Sequence, residues 1–227
     1  MQFYSFAAII KIVRVSRIGT VTMDTRIGFG WDSHAFKPGV PLRIGGLTLD
    51  HPEGLAGHSD GDVLLHAITD ALLGSIAAGD IGTFFPPGDP RWKDADSAIF
   101  LNLALVELQS AGYRIVNIDT TLVLVAPKII PVAGEMRARV ADLLGIDIDQ
   151  ISIKAKTPEG LGLDHIAQCH AVALVERVRE PEELASMSAV IETQRQLEDV
   201  VEDLLSSVHG VPKKRTITPV YDTEDIT

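Results

Sequence analysis

A carboxylate and an imidazole stand two residues apart at the end of the first predicted strand. Asp32 and His34 follow apolar residues at every second position, an alternation that predicts a half-buried strand. Side chains two apart on a strand point to the same face, so both groups are presented together. Both are good zinc ligands. Taken alone, Asp-x-His is a weak pattern and favours a hydrogen-bonded polar pair at a strand end.

A third candidate ligand lies in the helix predicted over residues 60–78. His66 falls on the second turn of this helix, and Asp62 and Asp70 lie four residues to either side of it. Either Asp would be a natural acceptor for the ring N–H that points away from a bound metal. A core histidine bonded to Asp70 is the alternative, but it does not explain His58 at the start of the same helix. With the strand pair, His66 completes three ligands and leaves a fourth zinc position open, as in a catalytic site.

A third pattern follows a short predicted strand near the end of the domain. Residues 154–162 combine two lysines, a hydroxyl and the carboxylate of Glu159 with glycines. Turns of this kind can hold phosphate through backbone N–H groups. An ordinary polar loop explains the same residues at least as well.

Strands and helices alternate along the chain, which predicts helices covering a mixed sheet. Ser59 and Asp62 resemble a capping box at the start of the first helix, and Asp96 is the predicted cap of the second. The predicted helices span 60–78, 97–111 and 131–144. The predicted strands are one through 27–31, a pair within 41–49, and 115–125, 151–156 and 167–178. The last strand is apolar nearly throughout, which predicts cover on both faces: helices on one and a second chain on the other.

Composition limits the partners. The chain has 227 residues, 46% of them hydrophobic, and a formal net charge of −11. This charge argues against nucleic-acid and anionic-membrane partners. A single cysteine, Cys169, excludes an internal disulfide framework and fits the cytoplasm. No apolar run approaches the roughly 20 residues of a membrane span.

Three segments differ in composition. Residues 1–23 have no clear apolar core or cleavage site and are predicted to be a disordered leader. Residues 24–179 form the predicted catalytic domain. Residues 180–227 carry eleven acids and four bases, and an apolar stripe over 184–208 predicts an amphipathic helix before a disordered tail.

Taken together and in order, these motifs resemble the 2-C-methyl-D-erythritol 2,4-cyclodiphosphate synthase family over residues 24–178. Many ordered matches are far more specific than any one motif. The matching segments are 26–36 (RIGFGWDSHAF), 57–63 (GHSDGDV), 65–67 (LHA), 69–74 (TDALLG), 79–82 (GDIG), 95–97 (ADS), 117–119 (NID), 126–128 (APK) and 154–157 (KAKT).

The resemblance implies an α+β fold with a four-stranded mixed sheet covered by helices, ferredoxin-like, assembled as a homotrimer with active sites between subunits. It implies a lyase of the non-mevalonate route to isoprenoids and terpenoids. The implied substrate is 4-diphosphocytidyl-2-C-methyl-D-erythritol 2-phosphate, which would be cyclised with release of CMP.

The resemblance also implies site residues. Zinc, one ion per chain, would be held by Asp32, His34 and His66, and a magnesium or manganese ion by Glu159. Transition-state stabilisation would fall to His58 and Thr157. The implied substrate-binding residues are Ser59, Asp80, Ile81, Gly82, Asp89, Pro127, Lys128 and Lys156, with Pro127 and Lys128 in the cytosine loop.

The chain departs from the family at two places. Residues 163–168 replace a Gly-Arg-Gly-Glu-Gly stretch that lies toward the trimer axis, and Pro87 stands where Asp is common. Neither departure touches a predicted zinc ligand. Two other functions stay open on the residues alone: a metal-dependent phosphohydrolase with water as nucleophile, and a non-catalytic assembly protein that uses the C-terminal helix.

Overall fold

The computed structural model describes residues 24–86 and 88–178. The leader predicted over 1–23, the C-terminal helix and tail predicted over 180–227, and Pro87 lie outside the described residues. The strands are β1 (Thr25–Pro38), β2 (Leu42–Ile44), β3 (Leu47–Leu49), β4 (Glu53–Leu55), β5 (Tyr113–Val123), β6 (Ile151–Lys156) and β7 (Ile166–Arg177). The α-helices are α1 (Val63–Ser75), α2 (Ile81–Phe84), α3 (Ala98–Ser110) and α4 (Ala133–Leu144).

Five strands form one mixed sheet in the order β4-β1-β7-β5-β6. Strand β7 pairs antiparallel with both β1 and β5, and β5 pairs parallel with β6. The predicted count of four strands is wrong by one short edge strand, because β4 pairs with the end of β1 at Phe36↔Leu55. A three-residue strand has too few side chains to show an alternation in the sequence.

The ferredoxin-like topology is also corrected. That fold runs β-α-β-β-α-β. Here the four long strands run from β1 through helices α1 to α3 to β5, through α4 to β6, and from β6 to β7 without a helix. Helix α4 connects β5 to β6, and a parallel pair needs such a crossover. The predicted mixed α+β architecture itself is confirmed.

Helix α1 lies directly on β1, and two glycines make this contact possible. A Cβ at Gly28 would stand 1.7 Å from the Ala71 carbonyl oxygen, and one at Gly30 would stand 1.9 Å from that of Ala67. The opposite face of β1 carries the large apolar side chains: Ile27 is 71% exposed, Phe29 61% and Trp31 49%. The predicted half-buried strand therefore buries its glycines in the single chain and leaves its apolar residues open.

The helix starts differ from the predicted caps. Helix α1 begins after Asp62, whose carboxylate accepts the N–H groups of Leu64 and Leu65, so the predicted Ser59–Asp62 capping box does not form. Helix α3 begins after Ser97, and the Asp96 carboxylate accepts the Ala98 N–H. An Asp at either place satisfies an N–H that has no partner within the helix.

The two-stranded pair predicted around Gly45 and Gly46 is confirmed as β2 and β3. Both glycines have positive φ, 66° and 71°, which only glycine adopts without cost in a tight turn. None of the helices in the described ranges is both long and apolar enough to cross a bilayer.

Candidate active site

Three predicted ligands meet where β1 and α1 touch. His34 Nε2 lies 2.8 Å from Asp32 Oδ2, and His66 Nδ1 lies 2.9 Å from the same oxygen. The two ring nitrogens are 3.1 Å apart. Asp32 and His34 point to the covered face because they share it with Gly28 and Gly30, and α1 brings His66 over them.

Burial and charge shape this triad. Burial alone would raise the pKa of Asp32, but hydrogen bonds from His34 and His66 outweigh it and hold the pKa far below its ordinary value. For His34, burial lowers the pKa, and the hydrogen bond and negative charge of Asp32 outweigh that effect and raise it. The carboxylate is therefore ionised, as a metal ligand must be.

The donor set fits zinc. Ligand atoms about 2.0–2.1 Å from a tetrahedral ion stand about 3.3 Å from one another, and the three observed separations are 2.8, 2.9 and 3.1 Å. Two imidazole nitrogens and one carboxylate oxygen are the ligand types of catalytic zinc sites. All three residues are at least partly buried, and they are a cluster of potential metal ligands within the described residues.

The far nitrogen of His66 does not contact the residues predicted for it. His66 Nε2 lies 2.8 Å from Ser97 Oγ and 3.1 Å from Ser59 Oγ. The prediction that Asp62 and Asp70 accept this N–H is corrected. Asp62 caps α1 and accepts the N–H groups of Gly45 and Gly46, and Asp70 accepts the N–H of Ile81. Helical spacing placed both carboxylates near the ring but could not show which backbone groups they satisfy.

Two residues of this network had no predicted role. Ser97 Oγ donates to Asp60 Oδ1 in a short hydrogen bond, and the Ser97 N–H donates to Asp60 Oδ2 at 3.2 Å. Both residues lie within segments that match the family, but no spacing rule connects positions 37 apart. Ser59, predicted as a substrate ligand, is placed on the imidazole of His66.

The remaining residues predicted near the zinc form the rim of the site. His58 is exposed, and its Nε2 lies 2.9 Å from the Asp89 carbonyl oxygen. Asp80 caps α2 by accepting the Thr83 N–H, and Ile81 N–H donates to Asp70, which ties α2 to α1. The segment that contains Asp80, Ile81 and Gly82 is thus held next to the helix that carries His66.

The other predicted residues lie at the far side of the sheet. Thr157 donates a short hydrogen bond to Glu159 in the loop after β6. The loop with Pro127 and Lys128 follows β5 and lies beside β6, where the Leu124 N–H donates to the Lys156 carbonyl. These side chains share one end of the sheet but are not brought to the zinc triad.

The strand register gives the separation of the two groups. Asp32 pairs with Cys169, Cys169 with Leu122, and Leu122 with Ala155. Three inter-strand spacings separate Asp32 from Ala155, which is about 14 Å between backbones. The triad and the Thr157–Glu159 loop, the two predicted half-sites, therefore lie apart within one chain.

Known proteins are similar to this chain in sequence and in fold. The YgbB family profile matches residues 25–176. A 2-C-methyl-D-erythritol 2,4-cyclodiphosphate synthase of Koribacter versatilis is 60% identical over 152 residues, which is 67% of this chain and 98% of that protein. A solved structure of 2C-methyl-D-erythritol-2,4-cyclodiphosphate synthase in a CDP-bound form is 39% identical with a TM-score of 0.63, over 66% of this chain and 99% of that one.

A second solved structure is that of a larger protein. The bifunctional IspDF from Campylobacter jejuni is 32% identical with a TM-score of 0.67, and the match covers 69% of this chain but only 43% of that chain. The family profile spans nearly all of the described residues, and the Koribacter protein matches over almost its whole length. This chain belongs to the YgbB family.

Proposed function

We propose that this protein is a lyase that converts 4-diphosphocytidyl-2-C-methyl-D-erythritol 2-phosphate to 2-C-methyl-D-erythritol 2,4-cyclodiphosphate and releases CMP, in the non-mevalonate pathway to isoprenoids and terpenoids. The observation that carries the proposal is the Asp32–His34–His66 triad within a domain 60% identical to a synthase of that name. The CDP-bound relative supports a cytidine nucleotide as the ligand.

The metals follow from the ligand types. Asp32, His34 and His66 would hold one zinc ion per chain, and Glu159 would hold magnesium or manganese together with the substrate diphosphate. When bound, such ions polarise phosphoryl oxygens and neutralise negative charge. The positive charge of these ions is needed because the substrate is strongly anionic and the protein is itself acidic, with a net charge of −11.

The reaction needs positioning more than proton removal. The second pKa of a phosphate monoester is about 6, so the attacking 2-phosphate is already largely ionised at neutral pH. One of its oxygens bonds to the β-phosphorus, the bond from that phosphorus to the bridging oxygen breaks, and CMP leaves with the electron pair. The protein must hold attacking and leaving oxygens in line.

Each half-site would contribute residues that position the substrate. His58 and Thr157 are exposed donors that would stabilise charge on the transferring phosphorus, one from each half-site. Ser59, Asp89 and the α2 segment with Asp80, Ile81 and Gly82 would bind the substrate beside the triad. Pro127, Lys128 and Lys156 would bind the cytidine end.

A homotrimer would join the two half-sites. Within one chain they stand about 14 Å apart across the sheet, too far for one small substrate to bridge both groups of side chains. The open sheet face with Ile27, Phe29 and Trp31 is apolar enough to need cover from other chains. Three sheets around a closed axis would bury this face and bring the Glu159 loop of one chain to the triad of the next.

The remaining expectations concern the whole chain. We propose that the domain over 24–179 carries the activity, that 180–227 serves assembly or a partner outside catalysis, and that the protein works in the cytoplasm. A chain truncated after Arg179 would then keep its turnover. Loss of CMP release from a truncated chain that remains trimeric would place the C-terminal segment in the active site.

The direct test is turnover followed by both CMP release and 31P NMR of the product. A cyclic diphosphate product supports the synthase, whereas a linear product with water incorporated would identify a phosphohydrolase. His66→Ala should lose zinc by elemental analysis together with activity. Glu159→Gln should keep zinc but lose most activity, and unchanged turnover of this variant at limiting magnesium would remove Glu159 from the site.

A further inference from the structure

The imidazole of His66 is held from three sides by residues that enter from different elements. Asp32 Oδ2 lies 2.9 Å from Nδ1, and Ser97 Oγ lies 2.8 Å from Nε2. The Phe100 ring, one turn along α3 from Ser97, lies with its centroid 5.9 Å from that of the imidazole. His66 is 8% exposed, so its ring cannot turn over without displacing these neighbours.

The hydrogen bonds of Ser97 have a direction. A carboxylate can only accept, and a serine hydroxyl has a single proton to donate. Ser97 Oγ makes its short contact with Asp60 Oδ1, so that proton is directed to Asp60. A lone pair of Ser97 Oγ then faces His66 Nε2, and the proton between them must belong to the ring.

Asp60 is anchored as the end of this chain of hydrogen bonds. It accepts the backbone N–H groups of Asp62 and Ser97 at 3.2 Å each, in addition to the Ser97 hydroxyl. Ser97 has no competing duty at the start of α3, because the Asp96 carboxylate accepts the Ala98 N–H there. The Ser97 hydroxyl is thus committed to Asp60 and His66.

We propose that Asp60 and Ser97 are positioning residues that keep the proton of neutral His66 on Nε2 and thereby leave Nδ1 as the metal-binding nitrogen. This inference rests on the proposed metal site, and neither residue touches the substrate or the metal. A neutral imidazole carries one proton, and whichever nitrogen holds it cannot be a ligand. The Asp60–Ser97 pair selects the tautomer that turns the Nδ1 lone pair toward a metal bound beside Asp32 and His34. Without a metal, Asp32 competes for the ring proton, because its Oδ2 lies 2.9 Å from Nδ1.

Ser59 has a lesser role at the same nitrogen. Its hydroxyl lies 3.1 Å from His66 Nε2, so it can share the ring proton with Ser97. Of the two hydroxyls beside His66, that of Ser97 has its direction fixed by a carboxylate, Asp60, among the contacts of the described residues.

The test compares zinc affinity and ring tautomer in variants of the full-length protein. Ser97→Ala should weaken zinc binding about 10- to 100-fold in competition with a chelator, the range seen when the partner of a metal-binding histidine is removed. Ser75→Ala is the matched control, because it removes another buried hydroxyl, on α1, that donates to the Leu72 carbonyl. It should bind zinc as the unsubstituted protein does.

A tautomer measurement separates positioning from a loss of fold. In 15N-histidine NMR at alkaline pH, metal-free Asp32→Ala protein, in which no carboxylate competes for a proton on Nδ1, should show His66 with its proton on Nε2. The further substitution Ser97→Ala should give a mixture of both tautomers. Ser97→Thr keeps the hydroxyl and should restore both affinity and tautomer. Asp60→Asn can donate its amide to Ser97 and reverse the chain of hydrogen bonds, so it should move the proton toward Nδ1.

Zinc affinity of Ser97→Ala equal to that of Ser75→Ala would overturn the inference. So would a tautomer that stays unchanged, in the Asp32→Ala background, with both Ser97→Ala and Asp60→Asn. Because the tautomer is measured without metal or substrate, its result does not depend on turnover. A protein that shows the expected tautomers but forms no CMP would contradict the proposed function and leave the positioning role standing.

Discussion

The two faces of the central sheet differ in what covers them. On the covered face, Gly28 and Gly30 let the backbone of α1 approach β1 closely, and the same face carries Asp32 and His34 toward His66. On the open face, the intervening side chains of β1 are large and apolar and have 49–71% of their surface exposed in the single chain.

The difference shows how one strand serves two purposes. Period-two alternation sends the glycines and the metal ligands to one side and the aromatic residues to the other. The close approach of α1 fixes the geometry of the metal site within a single chain. The open face has no such partner within the described residues, and in the proposed trimer other chains would cover it.

Preventing the close approach of α1 to β1 should have the largest effect on stability and zinc binding. Gly30→Ala would place a methyl group 1.9 Å from the Ala67 carbonyl oxygen, so α1 must shift away from β1. We expect a loss of about 3 kcal/mol or more in the free energy of unfolding, measured by urea denaturation, together with loss of zinc. The matched control is Gly134→Ala in α4, where an added Cβ meets nothing within 4 Å and the substitution should not destabilise the protein.

A Gly30→Ala protein with unchanged stability and zinc content would mean that the contact between α1 and β1 is not tight. The two faces would then be distinguished by side-chain size alone.

A charge on the open face should break the assembly and leave the chain folded. Phe29→Glu puts a carboxylate in the centre of the face that the trimer would bury, and an unpaired buried charge is costly. The mass measured by light scattering should fall from three times 24.5 kDa to the 24.5 kDa of one chain, with the circular dichroism spectrum and zinc content retained. CMP release should be lost, since the two half-sites are then apart.

Ile148→Glu is the control for this substitution, because Ile148 is also apolar and 47% exposed but lies outside the sheet. It should remain trimeric. A mass of one chain for the unsubstituted protein at micromolar concentration would refute the trimer and the shared active site.

Cysteine labelling should report the two faces separately. Cys169 lies on the covered face beside Asp32, and burial, with the negative charges of Asp62 and Asp32, raises the pKa of its thiol well above the usual value. The folded protein should therefore resist iodoacetamide at pH 8, and denaturant should make the thiol reactive. A thiol placed on the open face by Val172→Cys should be protected in the trimer and labelled in the Phe29→Glu background.

Rapid labelling of native Cys169 would show that the covered face opens readily. Equal labelling of the Val172→Cys thiol with and without the Phe29→Glu substitution would show that assembly does not cover the open face.

The smallest expected effect concerns a charge pair on the open face. Burial tends to raise the pKa of Asp119, but the hydrogen bond from Lys154 outweighs it and lowers the pKa. A lowered pKa stabilises the folded chain above the ordinary value of about 3.9, and this contribution is lost as the pH falls through the lower folded value. Both side chains are more than a third exposed, so Asp119→Asn in the Phe29→Glu background should cost less than about 1 kcal/mol at neutral pH.

Urea denaturation at pH 7 and in strong acid measures this contribution, which should disappear in acid. If Asp119→Asn costs more stability in the trimer than in the Phe29→Glu background, assembly removes the Asp119–Lys154 pair from water, and the two faces differ further in the assembled protein.

The long elements and the cluster of Asp32, His34 and His66 were predictable because their signals are local. Strand alternation at β1 gave the shared direction of Asp32 and His34, and helical periodicity gave the placement of His66 on α1. The fifth strand was missed because β4 has three residues. The ferredoxin-like order, which was drawn from the family resemblance, was wrong, because matching motifs carry no information on how strands are connected.

The sequence by itself determined which residues could bind zinc, since residue type and period are written along the chain. Tertiary structure alone decided which nitrogen of His66 faces Asp32, because the partner of the other nitrogen, Ser97, comes from the start of a different helix. It also decided that the apolar side chains of β1 face outward. Helix α1 needs the glycine face for a backbone-to-backbone approach, and only a packed structure shows which of two possible faces a helix has taken.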